Sequence, residues 1–254
     1  MLDAVVLAGS SNDGLLKECS PVEYEALIPV GSRTMVEYVI EALLGTRRIR
    51  RVLVVGPADR FTTLPVGERV SIVDSAGGIM ENIEAGLKQL PGEKRVLLAT
   101  SDIPLLTPWS VDNFLNLCGD MSGDLYYPII EKNLVEKIFP NTGRTYVRLR
   151  EGVFTGGNLF LINPVVYKRC LENGRKIIDL RKSPVGLCRI LGVTFLVKYI
   201  CRMLTLADAK NKVSQLLDIN GVVVRSAFPE VGVDVDKPAD LQLVLKVLSN
   251  QRPQ

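Results

Sequence analysis

Apolar residues along this chain fall into short unbroken runs, separated by longer stretches in which they recur every three or four positions. Leu2 to Ala8, Arg51-Val52-Leu53-Val54-Val55, Val70 to Val73 and Val96 to Ala99 have the length and character of strands. Met35 to Leu44 and Ile79 to Leu90 have the period of helices. The alternation predicts successive βαβ units. Because the strands are apolar on both sides, it also predicts an open, mostly parallel α/β sheet flanked by helices on both faces. Thr107-Pro108 then reads as a cap and first-turn proline for another helix, with Val111, Phe114, Leu115 and Cys118 along one side.

From Asp124 to Leu161 the pattern is less regular. Tyr126-Tyr127-Pro128, Tyr146 to Leu149 and Leu159 to Ile162 read as strands between turns, so residues 124–162 form a small β region on the side of an acceptor. Helices are expected at Pro164 to Leu171, Pro184 to Leu191 and Leu206 to Leu217, strands at Val222 to Val224 and Val231 to Val235, and a closing helix from Ala239 to Leu248. With no long linker or internal repeat, residues 1–254 read as one domain able to bury a sizeable core.

Composition narrows the chemistry. The 31 basic and 28 acidic residues leave a net charge of +3 without a long Lys/Arg block, which argues against a nucleic-acid partner but leaves room for a small anionic one. The five cysteines, Cys19, Cys118, Cys170, Cys188 and Cys201, have no CxxC spacing and histidine is absent, so a zinc centre or a catalytic histidine is disfavoured and a reducing cytoplasm is the simplest setting. The start of the chain lacks a basic signal-peptide region and no apolar stretch reaches about 18 residues, so no membrane association is expected. Monomer and homodimer both remain open.

The candidate chemistry lies at strand ends. Asp102 follows the run ending in Thr100, and Asp234 and Asp236 lie in Gly232-Val233-Asp234-Val235-Asp236-Lys237-Pro238. Carboxylate oxygens suit a hard ion such as Mg2+, which commonly shares one or two protein carboxylates with substrate phosphates. The two late aspartates have the same parity in an extended strand, so either or both can face such a site. Leu7-Ala8-Gly9-Ser10-Ser11-Asn12-Asp13-Gly14 leaves the first strand as a loop whose amides can cradle phosphate, although it is neither a Walker loop nor a GxGxxG fingerprint. In open parallel sheets Gly9 and Asp102 would converge beyond the carboxyl ends of the strands.

In this order the segments resemble the MobA-like nucleotidyltransferases, the broad group containing molybdopterin guanylyltransferases and sugar-phosphate nucleotidyltransferases. Leu7-Ala8-Gly9 is similar to the start of the family's nucleotide loop, Ala26-Leu27-Ile28-Pro29-Val30-Gly31 to its following segment, Ser101-Asp102-Ile103-Pro104 to its metal-bearing segment and Asp236-Lys237-Pro238-Ala239-Asp240-Leu241 to its ending. The resemblance implies a nucleotide-diphospho-sugar transferase (GT-A-like) fold. It also implies Asp102 as a Mg2+ ligand, completed by Asp234 or Asp236, and a nucleotide held by Ala8, Gly9 and Ser10. Ser75 to Asn82 matches a segment that helps hold base or ribose, with Gly77 and Gly78 permitting close backbone approach and Asn82 a candidate for a base edge.

Two positions depart from the family pattern: Ser10 stands at the second glycine, and Glu25 where a substrate-binding lysine is common. Lys17 is the candidate to supply the missing charge if Gly14 turns the loop inward. For the acceptor, Arg144 or Arg148 can pair with phosphate, Gly156 and Gly157 admit a ligand, Asn158 offers polar contacts, and Arg181 and Lys182 form a compact positive loop. The reaction so implied joins the nucleotide of an NTP, of unassigned base, to a phosphorylated small-molecule acceptor and releases pyrophosphate. A metal-dependent nucleotide-sugar glycosyltransferase is the main alternative, since Asp234-Val235-Asp236 spells DxD, and a non-catalytic nucleotide-binding regulator is a third, suggested by Ser10 and Glu25.

Overall fold

A computed structural model describes residues 1–140, 142–167, 170 and 191–250. Strand β1 (Leu2–Leu7) lies between β4 (Ile49–Val55) and β6 (Val96–Thr100), parallel to both, and β5 (Val70–Val73) extends this half alongside β4. Beyond β6 the direction reverses. β10 (Leu159–Ile162) runs antiparallel to β6 and to the start of β7 (Leu125–Glu131), while β9 (Gly152–Gly156) pairs antiparallel with the end of β7 and with β8 (Val147–Leu149). β11 (Gly221–Arg225) runs parallel to β7, and a separate short hairpin joins β2 (Pro29–Val30) to β3 (Arg33–Thr34). The sheet is thus open and mixed, with its parallel half at the N-terminal end of the chain.

Alternation within the strands sorts the core. Ala4, Val6, Val52, Val54, Leu97 and Ala99 point to one face, where they meet Val36, Val39, Ile40 and Leu43 of α1 (Met35–Gly45) and Val111, Phe114 and Leu115 of α3 (Pro108–Leu117). Val5, Leu53, Val55 and Leu98 point to the other, against Met80 and Leu87 of α2 (Ile79–Lys88). Each fully buried aliphatic side chain contributes roughly 1.5–3 kcal/mol. The helices start where their caps place them. The Glu37 carboxylate accepts from the Thr34 N–H at 2.6 Å, and the Ser110 N–H donates to the Thr107 hydroxyl at 3.1 Å one residue before Pro108.

One charge is built into this core. Asp3, wholly buried in β1, accepts two hydrogen bonds of 2.8 Å from the Arg50 guanidinium and one of 2.9 Å from Arg51. Burial raises its carboxyl, but these hydrogen bonds and charges outweigh it and hold the group below the ordinary aspartate range.

Several expected elements shift. The region 124–162 contains β9 and a short helix α4 (Lys132–Ile138) that its pattern did not announce, and its middle strand begins at Val147. The expected strand from Val231 to Val235 is absent: Pro229–Gly232 forms a single tight helical turn and residues 233–236 run outside any strand. Pro229 brings no N–H to a ladder, and the Val231 carbonyl is taken by the Asn158 N–H at 2.9 Å, so no pairing edge forms. Helices α5 (Val193–Ile200), α6 (Leu206–Leu217) and α7 (Pro238–Asn250) follow, of which α5 was not anticipated. Of the helix expected at Pro164 to Leu171, residues 164–167 and 170 are helical; most of that expected at Pro184 to Leu191 lies outside the described residues. Among the described residues no helix is long and apolar enough to cross a membrane.

Candidate active site

At the carboxyl ends of the parallel strands the backbone passes from loop to loop. The Ser101 N–H donates to the Leu7 carbonyl (3.2 Å), Ala8 to Val55 (2.8 Å), Gly56 to Val73 (3.0 Å) and Ser75 to Gly56 (3.2 Å). These bonds bring the loops after β1, β4, β5 and β6 to one rim, where Gly9 and the Ser75 to Asn82 segment converge. A Cβ on Gly9 would stand 2.7 Å from Asn82 Nδ2 and 3.3 Å from Ser75 Cβ. Asn82 is buried and braces the turn. Its Oδ1 accepts from the Ala76 N–H at 2.7 Å and its Nδ2 donates to the Gly77 carbonyl at 3.3 Å, while Gly77 takes a φ of +121° that disfavours a side chain. The amide expected to address a base edge thus also holds the loop, with one hydrogen bond at each end.

The segment after Gly9 is a closed hairpin. Ser11 bridges Tyr24, the Asn12 N–H donates to Glu23 O at 2.8 Å, Glu25 N–H donates to Ser10 O at 3.1 Å, and the buried Asn12 amide donates to Ser20 O and Val22 O at 3.0 and 2.9 Å. The Gly9 and Ser10 amides have no acceptor among the described residues. Leu16 anchors the hairpin's helical turn in an apolar cluster with Ile28, Met35, Val233 and Val235, and Lys17 follows it in the same turn. The Lys17 ammonium is exposed and has no partner among the described residues.

Asp102 lies two residues past the end of β6. The Thr100 hydroxyl hydrogen-bonds its carboxylate, and its carbonyl accepts from the Val235 N–H at 2.9 Å. That last bond staples the unpaired segment 233–236 beside it. Val235 turns into the apolar cluster, so Asp234 and Asp236 turn the other way, and oxygens of Asp102, Asp234 and Asp236 lie within 4.8 Å of one another. The side chain of Asp234 is 19% exposed and that of Asp236 is 56% exposed, so the opening of the trio to solvent lies at Asp236. Burial pushes the Asp102 carboxyl upward, the Thr100 hydroxyl offsets part of this, and the Asp236 charge pushes it upward again; the net shift is up. An all-oxygen donor set in which one carboxyl resists ionisation fits a hard divalent cation, whose charge would remove that resistance.

Arg144, expected to pair with acceptor phosphate, lies within the trio. Its side chain, only 7% exposed, pairs with Asp234, comes within 3.5 Å of Asp236, and donates to the Gly232 and Asp234 carbonyls at 3.3 and 3.0 Å. Nearby, Lys237 Nζ donates to the Gly143 carbonyl at 3.2 Å and Asp240 accepts from the Asp236 N–H at 3.2 Å. Thr100, Lys237 and Asp240 were not assigned site roles from the sequence. For Asp240 the available signal was its place in the Asp-Lys-Pro-Ala-Asp ending, in the first turn of α7.

Of the residues expected on the acceptor side, Gly156 ends β9, and Gly157 and Asn158 form the bend between β9 and β10. Asn158 donates its N–H to Val231 O and accepts from Thr100 N–H at 3.1 Å, and the Gly157 N–H reaches Pro128 O at 2.9 Å. A Cβ on Gly157 would lie 2.8 Å from Pro128 Cγ and 2.9 Å from Val231 Cγ1, so close packing explains this glycine. The Asn158 side-chain amide has no partner among the described residues. Arg148 is exposed on β8, the last strand in the sheet order, and Arg181 and Lys182 lie outside the described residues.

The family model described as the MobA-like NTP transferase domain matches residues 4–181. A 2-C-methyl-D-erythritol 4-phosphate cytidylyltransferase from Klebsiella pneumoniae is 32% identical over 119 residues, 45% of this chain and 49% of that protein; the chain spans about half the length of the curated relatives it matches. Among solved structures, a hypothetical transferase from Thermus thermophilus is 38% identical with a TM-score of 0.83, covering 94% of this chain and 99% of that one. A 4-diphosphocytidyl-2C-methyl-D-erythritol synthase from Anaerococcus prevotii shares the fold at a TM-score of 0.61 and 12% identity, over 98% of each chain.

Proposed function

The chain belongs to the MobA-like NTP transferase family, and from that premise we propose that it is a Mg2+-dependent nucleotidyltransferase joining the nucleotide of an NTP to a phosphorylated small-molecule acceptor with release of pyrophosphate. The observation behind this reading is the trio Asp102, Asp234 and Asp236 at the rim where Gly9 and the Ser75 to Asn82 turn converge. Those three carboxylates would hold the ion, and Mg2+ there would supply charge stabilisation for the triphosphate and the departing pyrophosphate. The chain's own groups do the rest. The unengaged Gly9 and Ser10 amides face the phosphates, the turn braced by Asn82 forms the wall beside the nucleoside, and Lys17 adds mobile positive charge. An acceptor phosphate oxygen attacks the α-phosphorus and the bond to pyrophosphate breaks; that oxygen is already ionised near neutral pH, so the absence of histidine costs the reaction nothing.

CTP is the first nucleotide to try, because the matching curated relatives are cytidylyltransferases. The test is a screen of CTP, GTP, UTP, ATP and dTTP against phosphorylated sugars, polyols and cofactor precursors, read as pyrophosphate release with Mg2+ and with chelator. Release that requires both metal and a phosphorylated acceptor supports the proposal. Glu25, at the position of the family's usual lysine, favours a second reading as a nucleotide-binding regulator. Tight NTP binding with no pyrophosphate release from any acceptor would select it, and transfer from a nucleotide sugar would select a glycosyltransferase.

A further inference from the structure

The trio already contains a cation. The Arg144 guanidinium pairs with Asp234, approaches Asp236 at 3.5 Å and donates to the carbonyls of Gly232 and Asp234, with 7% of the side chain exposed. The neighbouring Lys237 to Gly143 hydrogen bond ties residue 143 to the same segment, so the arginine arrives on a fixed strap. Two of the three carboxylates proposed to hold Mg2+ therefore spend part of their charge on Arg144. A carboxylate accepting guanidinium N–H bonds is a poorer ligand for a second cation, and the two positive charges repel across a few ångströms.

We infer that Arg144 is the resident counter-ion of Asp234 and Asp236 and that a divalent cation binds in competition with it, so that this arginine sets the metal affinity of the site. The inference rests on the proposed metal role of the trio. Arg144 is then a positioning residue. It keeps Asp234 and Asp236 folded close to Asp102 before the metal arrives, and the need to displace it partly weakens metal binding.

The experiment is a Mn2+ titration of the full chain followed by electron paramagnetic resonance, on wild type, Arg144→Met, Arg144→Lys and Asp102→Asn, with thermal melts in chelator and in Mg2+. Arg144→Met should bind Mn2+ roughly tenfold or more tightly than wild type. It should also melt lower than wild type in chelator and gain more from Mg2+. Arg144→Lys should fall between, because a compact ammonium keeps the charge but cannot span two carboxylates and two carbonyls; it also answers the question if Arg144→Met does not fold. Unchanged or weaker Mn2+ binding in a folded Arg144 variant overturns the inference while leaving the metal site standing. No Mn2+ binding by wild type, or binding unaffected by Asp102→Asn, overturns the metal reading itself and the inference with it.

Discussion

Burial raises the Asp102 carboxyl, and the Asp236 charge adds to the rise. For an acid raised in the fold, the favourable contribution is fully present below the unfolded value of about 3.9 and is lost as pH rises through the higher folded value. Without metal, keeping Asp102 in this setting therefore works against folding as pH rises. Asp102→Asn should melt above wild type in chelator at neutral pH, lose that advantage in acid, and gain nothing from Mg2+. Its turnover should fall by about 100-fold or more, since a lost metal ligand removes several kcal/mol of transition-state stabilisation. Unchanged turnover at saturating substrates would remove Asp102 from the metal site. Asp3 shows the opposite sign. Its lowered carboxyl contributes stability that is present above about pH 3.9 and lost as pH falls through the folded value, so Asp3→Asn should cost about 2 kcal/mol at pH 7 and progressively less in acid. Denaturant unfolding at pH 7 and in acid measures this directly, and an equal cost in both would mean that packing, and not charge, explains Asp3.

The strand-to-loop elements were legible where their chemistry is local. The runs around Val5, Val54 and Leu98 announced their strands, and Gly9, Gly77 and Asp102 marked the loops that meet. What could not be seen was how side chains inside those loops are spent. Asn82 has the same sequence signal whether it points at a base or at Ala76, and only the fold shows that both ends of its amide bind the turn. Asn82→Ala should leave the Ala76 N–H unsatisfied, cost about 2 kcal/mol of stability, and weaken NTP binding while leaving Mn2+ affinity unchanged. Loss of nucleotide binding without a stability cost would return Asn82 to direct base contact. The segment after Pro229 failed for a related reason. Its alternating valines have a strand's period, but the Val231 carbonyl is claimed by Asn158 and the Val235 N–H by Asp102, so the segment serves two loops instead of a ladder.

Across the whole molecule, the open α/β sheet followed from periodicity, and the grouping of Asp102 with Asp234 and Asp236, more than 130 residues apart in sequence, followed from the order of the family-like segments. The place of Arg144 did not. An arginine next to a hairpin gives no sign of an aspartate ninety residues later, and the partner appears only when residue 144 and the 232–237 segment fold against each other. The central claim is that this trio is where a metal ion and a nucleoside triphosphate meet. Calorimetric titration of wild type and Asp102→Asn with CTP, GTP, UTP, ATP and dTTP, each with Mg2+ and with chelator, addresses it most directly. At least one triphosphate should bind wild type about tenfold or more tightly with Mg2+ than without, and that metal dependence should vanish in Asp102→Asn. Triphosphate binding that is indifferent to Mg2+, or equally metal-dependent in the variant, would contradict the account.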